Sequence, residues 1–214
     1  MATLSDLRVL VANIIQDTSF NIDEYLNRGV NEIAGGMTSN FGNLITPPLP
    51  NLFKIDTVLT SISAAYVSMP ATFQRKLQFV ANSSGQEIEI YNSMIEFAQD
   101  HPLLDGSGTV QAVIEKGGNL YYQKIPSVAE TLTLHFFRKP VDMTDSDDVP
   151  DGIPLHLQVP LLVNYACYKI YELIEDDINN VAPNTMKYKA FFQEALKTLE
   201  LSLPVDERSL YLSD

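Results

Sequence analysis

Residues 115–177 read EKGGNLYYQKIPSVAETLTLHFFRKPVDMTDSDDVPDGIPLHLQVPLLVNYACYKIYELIEDD, and the change of period inside them decides the fold. Gly117 and Gly118 both accept positive φ and stand between two apolar-rich runs, which predicts a hairpin. From 131 to 138, Leu132, Leu134 and Phe136 point one way while Thr133, His135 and Phe137 point the other, as in a half-buried strand. The segment from 141 to 152 is acidic and short-sided, with Asp142, Asp145, Asp147, Asp148 and Asp151, and reads as an exposed connector. Beyond it the period is helical. Ile153 and Pro154 open a helix to about residue 177, with Leu157, Leu161, Tyr165, Tyr168 and Ile174 on its apolar spacing. Pro160 falls inside and either kinks this helix or marks a later start.

Outward from that stretch the same two periods recur. Leu4, Leu7, Val11, Ile14 and Ile15 share one face of a helix over 4–17, behind the cap residue Thr3 or Ser5. A second helix over 22–33 is capped by Asn21, carries Ile22, Tyr25, Leu26, Val30 and Ile33 as its stripe, and stops at Gly35 and Gly36. Pro47, Pro48 and Pro50 make 37–52 a linker or extended loop. A β-region follows, with Ile55, Val58 and residues 62–67 rich in β-branched side chains, and Leu77, Phe79, Ile88 and Ile90 alternating with polar partners. A short helical piece at 92–99 interrupts it before strands at 109–114, 119–125 and 131–138. The last helix covers 185–201, with Tyr188, Phe191, Phe192, Ala195, Leu196 and Leu199 as its buried side, and Pro204 ends it. The expected class is α+β, a helical bundle formed by N- and C-terminal helices with an inserted antiparallel β-domain. The divisions are 1–52 (helices and linker), 53–140 (β-domain), 141–203 (helices completing the bundle) and 204–214 (an arm).

The composition narrows what such a chain can do. With 45% apolar and 19% charged residues over 214 positions, it has the balance of a folded domain with room for an insert. A net charge of −13, with no cluster of Lys and Arg, excludes a phosphate-neutralising surface. No window reaches the roughly 20 apolar residues of a membrane span, and the start MATLSDLRVL has no leader pattern, so the chain is expected in the cytosol, without a membrane. The single cysteine, Cys167, lies among apolar neighbours and reads as a buried thiol rather than a nucleophile.

The search for chemistry yields no catalytic residue, cofactor site or metal site. His101, His135 and His156 are scattered without ligand spacing. The aspartate run from Asp145 misses the glycine of a calcium loop and has His156 where its last glutamate belongs, so it reads as a solvated charge run. Glu87 and Glu89 share one side of a strand, which is the ordinary polar face of a half-buried strand. Phosphate loops and hydrolase elbows are absent from the sequence.

The order of these elements resembles the head-to-tail adaptor proteins of tailed bacteriophages, also called head-completion or connector proteins. The strand ending in Phe136, Phe137, Arg138 and Pro140, the acidic link, the Ile153–Pro154 pair before a tyrosine-bearing helix, and the helix beginning near Tyr188 carry it. LSDLRVLVANIIQD and IDEYLNRGVNEIAGG, with the pair Leu26 and Asn27, extend it to the N-terminus. The resemblance implies a structural subunit of the virion neck, assembled in the host cytoplasm, in a ring commonly of twelve copies. Its implied partners are the portal protein on one side and the tail, nozzle or next neck protein on the other. Packaged DNA would pass through without sequence-specific binding. Leu157, Leu161, Tyr165, Tyr168, Phe191 and Phe192 are the residues expected to pack the bundle or neighbouring subunits. Val205, Leu210, Tyr211 and Leu212 are expected to anchor the C-terminal arm on the portal or a neighbour. The competing expectation is a virion-associated host- or carbohydrate-binding module carried on the β-domain.

Overall fold

The computed structural model describes residues 1–17, 19–37, 46–104, 106–175 and 182–203. In chain order its elements are α1 (Leu4–Ile15), α2 (Ile22–Gly35), a 3₁₀ turn (Pro50–Leu52), β1 (Phe53–Leu59), β2 (Tyr66–Ser68), β3 (Phe73–Ala81), β4 (Glu89–Tyr91), α3 (Met94–Asp100), β5 (Ala112–Lys116), β6 (Asn119–Tyr122), β7 (Thr131–Arg138), a second 3₁₀ turn (Leu155–Leu157), α4 (Gln158–Glu175) and α5 (Pro183–Ser202). The fold is α+β, with N- and C-terminal helices flanking a β-region. Its contacts divide the chain into a helical unit, Met1–Leu52 with Pro140–Asp214, and a β-unit, Phe53–Lys139.

The helical unit is organised around α4, against which α1, α2 and α5 all pack. Leu161, Leu162, Tyr165, Ala166, Cys167 and Ile170 are buried, so this helix is apolar around much of its circumference. α2 approaches closely because Gly29 has no side chain, and a Cβ there would lie 2.8 Å from Tyr165 Cδ1. The α1 start is fixed by a capping box: the Asp6 N–H donates to Thr3 Oγ1, and the Thr3 N–H donates to Asp6 Oδ2. Asn21, expected to cap α2, makes no capping bond with its side chain among the described residues. α5 is capped from outside its own sequence. Burial raises the pKa of Glu175, but its carboxylate accepts from the Thr185 N–H and hydroxyl and from the Asn184 N–H and amide, and the net effect is a lowered value. The last residue of one helix thus satisfies the first orphan donors of the next. Tyr171 stacks on Tyr188 at 5.5 Å and donates its hydroxyl to the Ile14 carbonyl, joining α4 to α5 and to the end of α1.

Several sequence expectations are corrected here. The acidic segment is largely exposed, as expected of a connector, but it is also docked on the helices. Asn27 on α2 accepts from the Met143 N–H at 2.8 Å and donates to the Met143 carbonyl at 2.9 Å, and Met143 is buried. The first free N–H groups of α1, those of Leu4 and Ser5, donate to the carbonyls of Asp148 and Ser146. The segment is held in shape by Asp148, whose carboxylate accepts from the N–H groups of Thr144 and Asp145. Pro160 does not kink α4, because the helix begins at Gln158 and a first-turn residue needs no intrahelical N–H bond. Pro154 instead has extended backbone and precedes a 3₁₀ turn. Of the expected linker, residues 38–45 lie outside the described residues, while Thr46, Pro47, Pro48, Leu49 and Leu52 are buried. Phe191, expected on the buried side of the last helix, is 45% exposed.

The β-unit is a two-sheet sandwich, with strand orders β1-β7-β3 and β2-β6-β5-β4. Val80, Leu132, Leu134 and Phe136 from the first sheet meet Val113, Leu120 and Tyr122 from the second in one core. The predicted hairpin joins β5 to β6 with Gly117 and Gly118 at φ 60° and 79°, the signs a two-residue turn needs. The expected strand over 131–138 is β7 to the residue. The expected strands at 109–114 and 119–125 are displaced or shortened because the buried Gln123 side chain takes the N–H groups of Gln111 and Ala112 and the Thr109 carbonyl. Residues 62–65 turn rather than extend, since Ser61 Oγ accepts from the N–H groups of Ser63 and Ala64. One pairing also departs from an all-antiparallel arrangement: β4 runs parallel to β5.

Asn27→Ala leaves both backbone groups of Met143 without their partner and should lower stability by about 1–3 kcal/mol in urea unfolding. Gly29→Ala forces α2 off α4 and should also cost about 1–3 kcal/mol. Asp148 is held below the ordinary carboxylate range by the N–H groups of Asp145 and Thr144. Its contribution is therefore complete above about pH 4 and is lost as pH falls through the lowered value. Unfolding midpoints at neutral and acid pH should show Asp148→Ala less stable than the parent at neutral pH, with a shallower loss on acidification.

Candidate assembly surface

Charge is distributed unequally between the two units. The helical unit carries 7 Lys and Arg against 19 Asp and Glu, a net of −12, whereas the β-unit carries 7 against 8, a net of −1. Arg8 and Arg28 are already paired, to Asp23 at 2.6 Å and to Glu32 at 2.7 Å. All four lysines of the helical unit, Lys169, Lys187, Lys189 and Lys197, belong to α4 and α5.

That pair of helices gathers cations over aromatic rings. The Lys169 and Lys189 ammonium groups lie 4.6 and 5.6 Å from the Tyr168 ring centre, and Lys187 lies 5.1 Å from that of Tyr188. Burial would lower the Lys169 pKa, but Glu172, 3.0 Å away, and the Tyr168 hydroxyl raise it on balance, so the group stays charged. Phe191, Met186, Leu173 and Leu201 are exposed on the same two helices. The expected packing residues therefore separate: Leu157, Leu161, Tyr165, Tyr168 and Phe192 are buried within the subunit, and Phe191 alone of the six is exposed. Val205, Leu210, Tyr211 and Leu212 lie outside the described residues.

Of the groups weighed for chemistry, Cys167, Tyr165, His101 and His135 are occupied in packing, while His156, Glu87 and Glu89 are exposed. Burial pushes the Cys167 thiol up to about 12, which leaves almost no thiolate at neutral pH. Burial likewise raises the Tyr165 phenol, beside Glu32. His101 packs edge-on against Tyr91 and Phe97, His135 lies between Phe53 and Phe79, and His156 belongs to the second 3₁₀ turn. Glu87 and Glu89 are exposed on either side of buried Ile88. Asp142 accepts from Asn31 and Asp151 from the Val141 N–H, so these two carboxylates of the acidic segment serve α2 and the backbone. Among the described residues no group of three His, Cys, Asp or Glu could hold a metal ion. Open clefts lie among the described residues. One of about 290 Å³ is lined by Arg8, Ala12, Asp17, Phe20, Ile22 and Asp23, and one of about 340 Å³ by Asn82, Gln86, Glu87, Thr109 and Gln111 among others.

A surface that sequence reasoning missed lies on the first sheet of the β-unit. Phe53, Ile55 and Leu59 alternate along β1 and are 41, 55 and 60% exposed. The alternation is legible in FKIDTVL; which of its faces turns away from the sandwich is not.

No described helix is long and apolar enough to cross a membrane. Among curated proteins none matches the chain. The family profile described as SU10 adaptor protein matches residues 2–211, and so takes in both units. The chain belongs to the SU10 adaptor protein family, consistent with the phage head-to-tail adaptors that its sequence resembles.

Proposed function

We propose that this chain is a non-catalytic structural subunit of the phage neck, assembling as a ring that joins the portal to the tail, nozzle or next neck protein. The observation that carries the reading is the family match over residues 2–211, because it makes the helical unit and its inserted β-unit parts of one adaptor. The exposed apolar side chains of α4 and α5, Phe191 and Met186 foremost, are the type of surface that a neighbouring subunit or the portal covers. Twelve copies are the number that the resemblance to phage adaptors suggests, and assembly would take place in the host cytoplasm. The acidity of the helical unit suits a conduit wall, since like charge keeps a passing duplex from adhering.

The segment 204–214, PVDERSLYLSD, supplies a docking arm in this reading, with Val205, Leu210, Tyr211 and Leu212 as anchors. Proline ends the helix ahead of it, and its apolar residues exceed what a solvated end needs.

Two measurements test the proposal. The mass of the chain alone and mixed with a portal protein should change from a small species to a portal-bound ring, and added salt should favour the ring by screening the acidic subunits over about 8 Å. A chain indifferent to the portal at every salt concentration contradicts the reading. Deletion of residues 205–214 should leave thermal unfolding of the free subunit nearly unchanged while sharply weakening attachment, and normal attachment would eliminate the arm as a docking element.

A further inference from the structure

Among the four α-helices of the helical unit only α5 carries a positive net charge, with three lysines against two glutamates, whereas α2 and α4 are acidic and α1 is neutral. Phe192, Ala195, Leu196 and Leu199 bury one side of α5. On the opposite side, within an arc of about 140°, stand Met186, Lys187, Ala190, Phe191, Glu194 and Lys197, all exposed. The chain leaves α5 at Leu203, which is buried and has extended backbone at φ −83° and ψ 150°, the conformation that the following Pro204 favours. The next residues, PVDERSLYLSD, carry Asp206, Glu207 and Asp214 against Arg208, with an apolar run at Leu210, Tyr211 and Leu212.

We propose that in the free subunit the arm folds back along the exposed side of α5 of its own chain, antiparallel to the helix, and covers Phe191 and Met186 until a partner displaces it. The argument is one of register. A helix rises 1.5 Å per residue and an extended chain about 3.3 Å, so positions on the two can be matched by their distance from Leu203. Asp206 and Glu207 reach about 10–13 Å, beside Lys197 at about 9 Å, and Arg208 reaches about 17 Å, beside Glu194 at about 14 Å. Leu210 to Leu212 reach about 23–30 Å, beside Phe191 and Met186 at about 18–26 Å. Acidic, basic and apolar positions of the arm thus follow one another in the order in which α5 offers basic, acidic and apolar ones. The register is counted from Leu203 and belongs to the arm's own helix; an arm reaching over from elsewhere has no such fixed start. The tether also supplies an effective concentration in about the millimolar range, enough for a weak contact to close. The fold-back covers exposed apolar side chains that the adaptor reading offers to a neighbour or the portal, so it holds that surface shut. It rests on that reading only for the partner that opens it.

The chain has no tryptophan, so Tyr211→Trp makes the arm its own reporter in the full chain. Without any portal, acrylamide should quench this tryptophan more slowly, by about threefold or more, than in the same chain with Phe191→Asp added, because a tethered arm spends most of its time closed. Lys197→Glu should speed quenching, and Asp206→Lys with Glu207→Lys in that background should slow it again, a rescue that a general loss of folding does not give. Ile95→Asp places a similar charge on α3, where Ile95 is 71% exposed, and should leave quenching unchanged. Circular dichroism and thermal unfolding establish that the variants fold, and Phe191→Ser replaces Phe191→Asp if that one does not. Quenching should be the same over a wide range of chain concentration. A tryptophan as open in the reporter chain as in its Phe191 variant, an equal loss of shielding in the Ile95 control, or charge reversal without rescue would each overturn the proposal. Shielding that appears only as concentration rises would assign the arm to a neighbouring copy and overturn it too. A chain that shields its arm yet ignores the portal sinks the adaptor reading alone, and one that attaches through an arm open in the free subunit sinks the fold-back alone.

Discussion

The helical unit depends on one side-chain amide. Asn27 reads both backbone groups of Met143 across 116 positions of sequence, and so ties the N-terminal segment to the returning C-terminal one. An insert of this length makes closure entropically costly, although the cost grows only slowly with length. The offset comes from burial along α4, which the N-terminal helices share with α5. Asn27 adds register, because a two-pronged amide bond is satisfied at one position of the returning chain and at no other. The α1 N-terminus, donating to Asp148 and Ser146, and Asn31, donating to Asp142, then follow from the same register.

This arrangement gives the acidic segment a structural purpose that its composition conceals. Carboxylates near the positive end of a helix are favourable, and Asp148 is held ionised by two backbone N–H groups. The unit accumulates negative charge partly because its loop geometry needs acceptors. Its lysines meanwhile sit on α4 and α5, where tyrosine rings and Glu172 hold Lys169, Lys187 and Lys189. The result is a chain in which almost all net charge belongs to the helical unit, chiefly outside its helices, and almost none to the sandwich.

What the sequence by itself determined is whatever a short window encodes. The period of two in TLTLHFFR located β7 to the residue, the adjacent Gly117 and Gly118 located the hairpin, and the start of α1 was narrowed to a cap at Thr3 or Ser5, of which the structure uses Thr3. The order of helices and strands gave the α+β class and, through its likeness to phage adaptors, the family. Only the tertiary structure decided the rest. Asn27 and Met143 look unremarkable in their own neighbourhoods, and an aspartate run has the same composition whether it is solvated or docked. Pro160 could be judged only once the preceding 3₁₀ turn moved the helix start to Gln158. Phe191 and Phe192 are adjacent and equally apolar, yet one is exposed and the other buried because α5 presents a single face to α4. Periodicity fixes which residues share a face, but burial of that face requires a partner surface, and here each partner is supplied by a distant part of the chain.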